Sequence, residues 1–189
     1  MILISPENYG NYFAIEKLNA AHRIGEFNGD NTNEYTLFLK QDALKHQRSH
    51  ISNTFVLVET ETLAVAAYIS LIADAVTLLD EERTRLLLPD ISFETLPALK
   101  IAKLAVAQEM SRTYHHLGSL MIDFSRSIAD QCNERFIACR ILTADADIEY
   151  DKNLPLFYEK NGFTALHSKK YSKKTRTLPM WTDIYLDGL

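Results

Sequence analysis

One junction constrains this 189-residue chain more than any other: Leu104-Ala105-Val106, followed by Arg112-Thr113-Tyr114-His115-His116-Leu117-Gly118-Ser119-Leu120-Met121. The apolar triplet reads as a buried strand that runs through a short turn into the start of an amphipathic helix. Leu117, Leu120, Met121, Phe124 and Ile128 fall at i, i+3, i+4, i+7 and i+11, with Asp123, Arg126 and Asp130 on the opposite face. The first turn of a helix leaves backbone N–H groups without carbonyl partners and carries the positive end of the dipole, so the junction suits a phosphate.

The rest of the pattern describes strands and helices around that junction. Phe136 to Ala144 is a near-continuous apolar run, which predicts a central strand buried on both faces. Phe55 to Glu59 and Ala64 to Ile72, separated by Thr60-Glu61-Thr62, predict a hairpin, and Ala98 to Val106 predicts a third strand. Ile15, Leu18, Ala21 and Ile24 recur at helical spacing, as do Tyr35, Phe38, Leu39, Ala43 and Leu44, which predicts two helices joined by the turn Asn28 to Asn33. Asp80 to Glu94 reads as a loop. Asn153-Leu154-Pro155 opens a short helix, with the Asn153 side chain as its cap, and Asn161-Gly162 closes it. Phe163 to Leu166 and Met180 to Leu186 predict a last strand pair joined by a basic loop. This order of elements describes an α/β fold on a mixed sheet.

Composition fits one domain over residues 1–189, with 47% hydrophobic and 24% charged residues. A net charge of −5 gives no global case for nucleic acid and leaves room for a local basic face. Cys132 and Cys139 are too few for a disulfide framework and predict reduced thiols. Met1 to Ser5 has no basic leader and stops at Pro6, and no apolar run is long enough to span a bilayer, so the expected location is the cytoplasm.

The chain resembles the GNAT superfamily of acetyl-coenzyme A dependent N-acetyltransferases, over about Phe27 to Leu186. Leu104-Ala105-Val106 with the loop ending Leu117-Gly118-Ser119-Leu120-Met121 looks like the family's strand and pyrophosphate loop. Asn153 to Phe163 is similar to its Asn-x-x-x-x-Phe-Tyr-x-x-x-Gly-Phe pattern. Pro179-Met180-Trp181-Thr182-Asp183-Ile184 and Phe27-Asn28-Gly29 resemble a branch with many members that acetylate aminoacyl-tRNA as toxins. The implied fold is a splayed mixed sheet flanked by helices. In one respect the chain departs from the family. Its loop usually reads Gln/Arg-x-x-Gly-x-Gly/Ala, and alignment on Gly118 puts Thr113 at the Gln/Arg position and His116 at the first glycine. Either the imidazole turns outward or cofactor binding is weakened.

The resemblance implies roles for named residues. Leu104, Ala105 and Val106 would pair with the pantetheine arm like an added strand, with the Val106 N–H meeting the acetyl carbonyl. Thr113, Tyr114, His115, His116, Leu117, Gly118 and Ser119 would hold the diphosphate. Tyr158 is the expected general acid, since a phenol close to the sulfur can protonate the departing thiolate. Read without the family, Tyr158 is a core aromatic. Asn153 caps its helix or contacts the cofactor. Adjacent His115 and His116 diverge and have no third ligand at a recognised spacing, so no metal site is expected. Glu59, Glu109 or a water chain could serve as base.

Lys169, Lys170, Lys173, Lys174 and Arg176, with Tyr171 among them, form the one run suited to RNA phosphates and a stacked base, although such runs are usually solvated loops. The expected activity is direct transfer of an acetyl group from acetyl-CoA to a primary amine. An aminoacyl-tRNA-acetylating toxin and a binding module that has lost catalysis are the alternatives. The acceptor is a small molecule, a peptide or an aminoacyl-tRNA. A homodimer is compatible with each, and no membrane partner is expected.

Overall fold

A computed structural model describes residues 2–29, 33–86, 92–167 and 176–185. Nine strands are described: β1 Ile2–Leu3, β2 Phe13–Lys17, β3 Asn53–Glu59, β4 Val65–Thr77, β5 Thr95–Val106, β6 Tyr114–His115, β7 Ile141–Asp147, β8 Thr164–Ala165 and β9 Thr177–Asp183. The helices are α1 Asn33–Leu37, α2 Ala43–Arg48, α3 Asp80–Arg85, α4 Gln108–Thr113, α5 Leu117–Arg135 and α6 Leu154–Lys160. Seven strands form a mixed sheet in the order β2-β3-β4-β5-β7-β9-β8, and β1 pairs with β6 in a small sheet of its own. Residue contacts group into two compact units, Met1–Ile72 with Ile101–Ser125, and Ala73–Lys100 with Arg126–Leu189.

In the first unit the expected hairpin is present. β3 and β4 run antiparallel with Thr54 opposite Ser70 and Leu57 opposite Ala67, and the register shifts between Leu57 and Val58. The run from α1 through a π-helical turn at Phe38–Asp42 into α2 buries Leu39 and Ala43, four residues apart, against Val56, Val58, Val65 and Tyr68. The Tyr68 hydroxyl donates to the Tyr35 carbonyl at 2.8 Å, and burial pushes its pKa far above the usual phenol range, so it stays a neutral donor.

The helix expected over Ile15 to Ile24 is not there. Phe13 to Lys17 is β2, antiparallel to β3 with Ile15 opposite Leu57, and only Ile24–Glu26 forms a single 3₁₀ turn. Ile15 and Leu18 fit a helical period, but Phe13 and Ile15 fit a strand period equally well. A stretch this short is decided by the ladder that β3 offers it.

In the second unit β7 and β9 run antiparallel from Ile141 opposite Asp183 to Asp147 opposite Thr177, and β8 pairs with β9 through Thr164 and Trp181. One face buries Val76, Leu78, Leu86, Leu96, Ala98, Ile141 and Trp181, with Leu166 packed against them. Buried Asp183 is held by the Arg140 guanidinium at 2.6 Å. The segment expected as a loop after Asp80 opens with α3, where Glu82 reaches back to accept from the Leu79 N–H at 2.8 Å. Residues 87–91 of that segment lie outside the described residues.

The strand expected over Phe136 to Ala144 begins only at Ile141. Phe136 and Ile137 are 83% and 70% exposed. Both of their N–H groups donate to the Cys132 carbonyl at 2.9 Å, which terminates α5. The Asn133 side chain then brackets Cys139, accepting from its N–H and donating to its carbonyl, each at 2.6 Å. These caps occupy the backbone that a strand neighbour would have needed. Along α5 the buried line is Leu117, Leu120, Met121, Ile122, Ser125 and Ala129, while Phe124 and Ile128 are half-buried.

Cys132 and Cys139 are both free thiols. Burial pushes the Cys139 thiol up to about 11, and neighbouring Cys132 adds to the shift. At pH 8 about one Cys139 in a thousand is then thiolate. Iodoacetamide is expected to label half-buried Cys132 in the native protein and Cys139 only in denaturant, as read by peptide mass spectrometry. Among the described residues no helix is long and apolar enough to cross a membrane.

Candidate functional site

In the first unit Leu104, Ala105 and Val106 are half-buried at the end of β5, and the Ala107 N–H donates to the Ala66 carbonyl at 2.8 Å. The short turn expected next is instead α4 followed by β6. A turn closed by the Ser111 N–H on the Ala107 carbonyl at 3.0 Å starts α4, and the Ser111 hydroxyl donates to the Gln108 carbonyl at 2.8 Å.

Phe27-Asn28-Gly29 lies on this strand end. Gly29 bridges Ala107, the Gln108 N–H donates to the Asn28 carbonyl at 3.0 Å, and the Gly29 N–H donates to the Thr36 hydroxyl at 3.0 Å. A Cβ at Gly29 would stand 3.2 Å from the Phe27 ring and in ordinary contact, at 3.5 Å, with the Ala105 Cβ, so a side chain there would need the Phe27 ring to give by a few tenths of an ångström. The sequence marked these three residues through the resemblance, and nothing in their local pattern showed where they would dock.

Tyr114 anchors the loop. Its ring meets Phe13 edge-on at 4.8 Å, and its hydroxyl donates to Glu59 at 2.8 Å. That hydrogen bond, with burial behind it, pushes the Tyr114 phenol up to about 12. Glu59 also accepts from the Thr62 hydroxyl at 2.5 Å. Both of its oxygens are thus engaged in structure, which argues against its being the base. Glu109 is exposed on α4.

Thr113, the last residue of α4, is exposed, and half-buried His115 follows Tyr114 in β6. The His115 Nε2 is buried without a partner among the described residues. His116 has φ +68 and is exposed. The first helical bond of α5 is from the Leu120 N–H to the His116 carbonyl at 2.9 Å, which places the N–H groups of Leu117, Gly118 and Ser119 in the unpartnered first turn. Histidine therefore keeps the left-handed backbone that glycine would supply, at a cost of about 1–2 kcal/mol. His116→Val is expected to lower stability by about a further 1–2 kcal/mol in a thermal melt, because a β-branched side chain tolerates that backbone poorly.

In the second unit α6 carries the aromatic motif. Asn153 occupies the N-cap position with φ −90 and ψ −5, and its side chain makes no cap bond. A helical backbone angle there keeps the amide from reaching back to the first-turn N–H groups, contrary to the expected cap, and Asp151 instead accepts from the Asn153 N–H at 2.8 Å. The exposed Asn153 side chain is left to solvent or a ligand. The helix ends as expected, with Asn161 at the C-cap and Gly162 at φ +82. Tyr158 is 5% exposed, edge-on to Phe157 at 5.3 Å and to Phe163 at 5.4 Å. Arg126 donates to the Asn161 carbonyl and lies over the Phe163 ring at 6.0 Å.

Lys169, Lys170, Tyr171, Lys173 and Lys174 lie outside the described residues. Arg176 is exposed and ion-paired to Glu149. Among the described residues no cluster of histidine, cysteine and carboxylates could hold a metal.

The mixed sheet flanked by helices has the fold of solved bacterial toxins, in agreement with the GNAT-like architecture expected from the sequence. Its solved counterparts include a Tyr-to-Phe mutant of KacT, with TM-score 0.73 and 15% identity over 93% of this chain and 98% of that one. AtaT complexed with acetyl-methionyl-tRNAfMet matches with TM-score 0.67 and 16% identity, over 88% of this chain and 92% of that one. A Tyr-to-Phe mutant of the AtaT toxin, bound to the C-terminus of the antitoxin AtaR and acetyl-CoA, gives TM-score 0.68 and 14% identity over 93% and 97%. No protein-family model matches the chain, and no curated protein matches it significantly.

Proposed function

We propose that the chain is an acetyl-CoA dependent N-acetyltransferase working in the cytoplasm, with residues 1–189 acting as one catalytic domain. The observation that carries this reading is the main-chain cradle at His116 to Ser119, where His116 keeps the left-handed backbone of a glycine ahead of the free first-turn amides of α5. Diphosphate would sit against the amides of the first turn of α5, with the positive end of that helix behind it. Leu104 to Val106 would receive the pantetheine arm, and the Val106 N–H would polarise the acetyl carbonyl. A neutral primary amine attacks that carbonyl, the C–S bond breaks, and the thiolate takes the Tyr158 phenol proton. The amine gives up its proton to solvent, from which the phenol is restored.

Calorimetric titration with acetyl-CoA tests the reading. Binding heat is expected, together with about 2.7 kcal/mol of added stability at a hundredfold excess over Kd. Absent heat and an unmoved melt would favour the non-catalytic binding module. Labelled acetyl-CoA incubated with a cell extract, followed by mass spectrometry, would identify the acceptor.

A second reading narrows the acceptor to the α-amine of an aminoacyl-tRNA. The run Lys169 to Arg176 favours it, as does the solved complex of AtaT with acetyl-methionyl-tRNAfMet on a shared fold. Substituting glutamine for Lys169, Lys170, Lys173 and Lys174 together is then expected to flatten the salt dependence of tRNA binding by about three in log–log slope and to relieve growth arrest on induction. A wild-type chain that is harmless on induction would exclude the toxin.

A further inference from the structure

The loop from Thr113 to Leu117 contains no glycine, yet it is fixed on both sides by groups that lie far away in sequence. β1 runs parallel to β6, with Ile2 opposite Tyr114 and Leu3 opposite His115, and the Ile4 N–H donates to the His115 carbonyl at 3.1 Å. Ile4 is 3% exposed, whereas Leu3 faces solvent. Asn8 closes the turn behind the strand: its side chain donates to the Leu3 carbonyl and accepts from the Ser5 N–H, each at 2.9 Å. On the other side of the loop stands the Tyr114 anchor, with Phe13 and Glu59.

A trans peptide sends its C=O and N–H in opposite directions. With the His115 carbonyl tied to Ile4, the His116 N–H is turned away from β1, in continuity with the first-turn amides of α5. Glycine-rich loops gain close approach through freedom of backbone; here the same orientation is imposed by an added strand. We propose that the Ile4 N–H, held in place by the Asn8 turn, is a positioning strap, setting the peptide planes at His115 and His116 that grip the diphosphate of acetyl-CoA. The inference rests on the acetyltransferase reading above, and it assigns Ile4 and Asn8 a part in cosubstrate affinity without contact to the reacting atoms.

Ile4→Pro removes the bonding N–H, while Leu3→Pro removes one that faces away from β6 in this register. Acetyl-CoA and S-acetylpantetheine, which lacks the diphosphate, serve as donors. Ile4→Pro is expected to raise Kd and KM for acetyl-CoA about tenfold with kcat unchanged, and to leave kcat/KM for S-acetylpantetheine at the wild-type value. Leu3→Pro is expected to stay within about twofold on both donors.

If Ile4→Pro does not melt cooperatively, Asn8→Ala decides, with an expected rise of about threefold or more in Kd for acetyl-CoA alone. The strap is overturned by a folded Ile4→Pro or Asn8→Ala variant with wild-type affinity, or by equal losses on both donors. Failure of the wild-type protein to bind acetyl-CoA would instead overturn the acetyltransferase reading itself.

Discussion

Tyr158→Phe is expected to lower kcat about 10²- to 10⁴-fold while leaving the Kd for acetyl-CoA within about twofold. The substitution deletes one oxygen and nothing else. Phe157 and Phe163 meet the Tyr158 ring edge-on at 5.3 and 5.4 Å, and both contacts survive in phenylalanine. The ring is buried, so its position is set by packing, and the melt is expected to shift by no more than about 1 kcal/mol. Steady-state kinetics at saturating acetyl-CoA, with calorimetry for Kd, separate the two quantities. An unchanged kcat would remove Tyr158 from proton transfer and leave it as a core aromatic.

The largest loss of stability is expected at Phe163. It is 2% exposed, carries the Arg126 guanidinium over its ring at 6.0 Å and packs against Tyr158. Phe163→Ala removes a buried aromatic and opens a cavity that the short strand β8 cannot close, at a cost of about 3–5 kcal/mol. For a chain of this size the melting temperature falls by about 2–4 °C for each kcal/mol, so a drop near 10 °C is expected by calorimetry. Phe163→Leu, which keeps most of the volume, is expected to lose less than half as much. Because Phe163 flanks the Tyr158 ring, folded Phe163→Ala should also lose kcat. A full-rate Phe163→Ala variant would show that the phenol does not depend on this aromatic holder.

Legibility followed the length and redundancy of each pattern. The hairpin over Phe55 to Ile72, the strand ending at Val106, the long helix from Leu117 and the helix closed by Gly162 each carry several mutually consistent signals, and the structure places them where the sequence does. Asn153 failed as a capping side chain because capping depends on a backbone angle that residue type alone does not set. Ile15 to Ile24 and Phe136-Ile137 failed because a few apolar residues fit more than one period, and partners far along the chain decided between them. At the site, the strand end and the helix start were readable. The insertion of α4, the docking of Gly29 on Ala107 and the pairing of Ile4 with His115 were not, since each joins segments with no local trace of one another.

By itself the sequence determined an α/β fold on a mixed sheet, the family it resembles, and where the start of the long helix and an aromatic pair fall, because these depend on periodicity and spacing within single segments. Only the tertiary structure decided that His116 takes a left-handed backbone, that Glu59 is held by Tyr114 and Thr62, and that Ile2 and Leu3 pair with Tyr114 and His115. Such choices are made by hydrogen-bond partners brought together by folding, and a linear pattern of hydrophobicity carries no term for them.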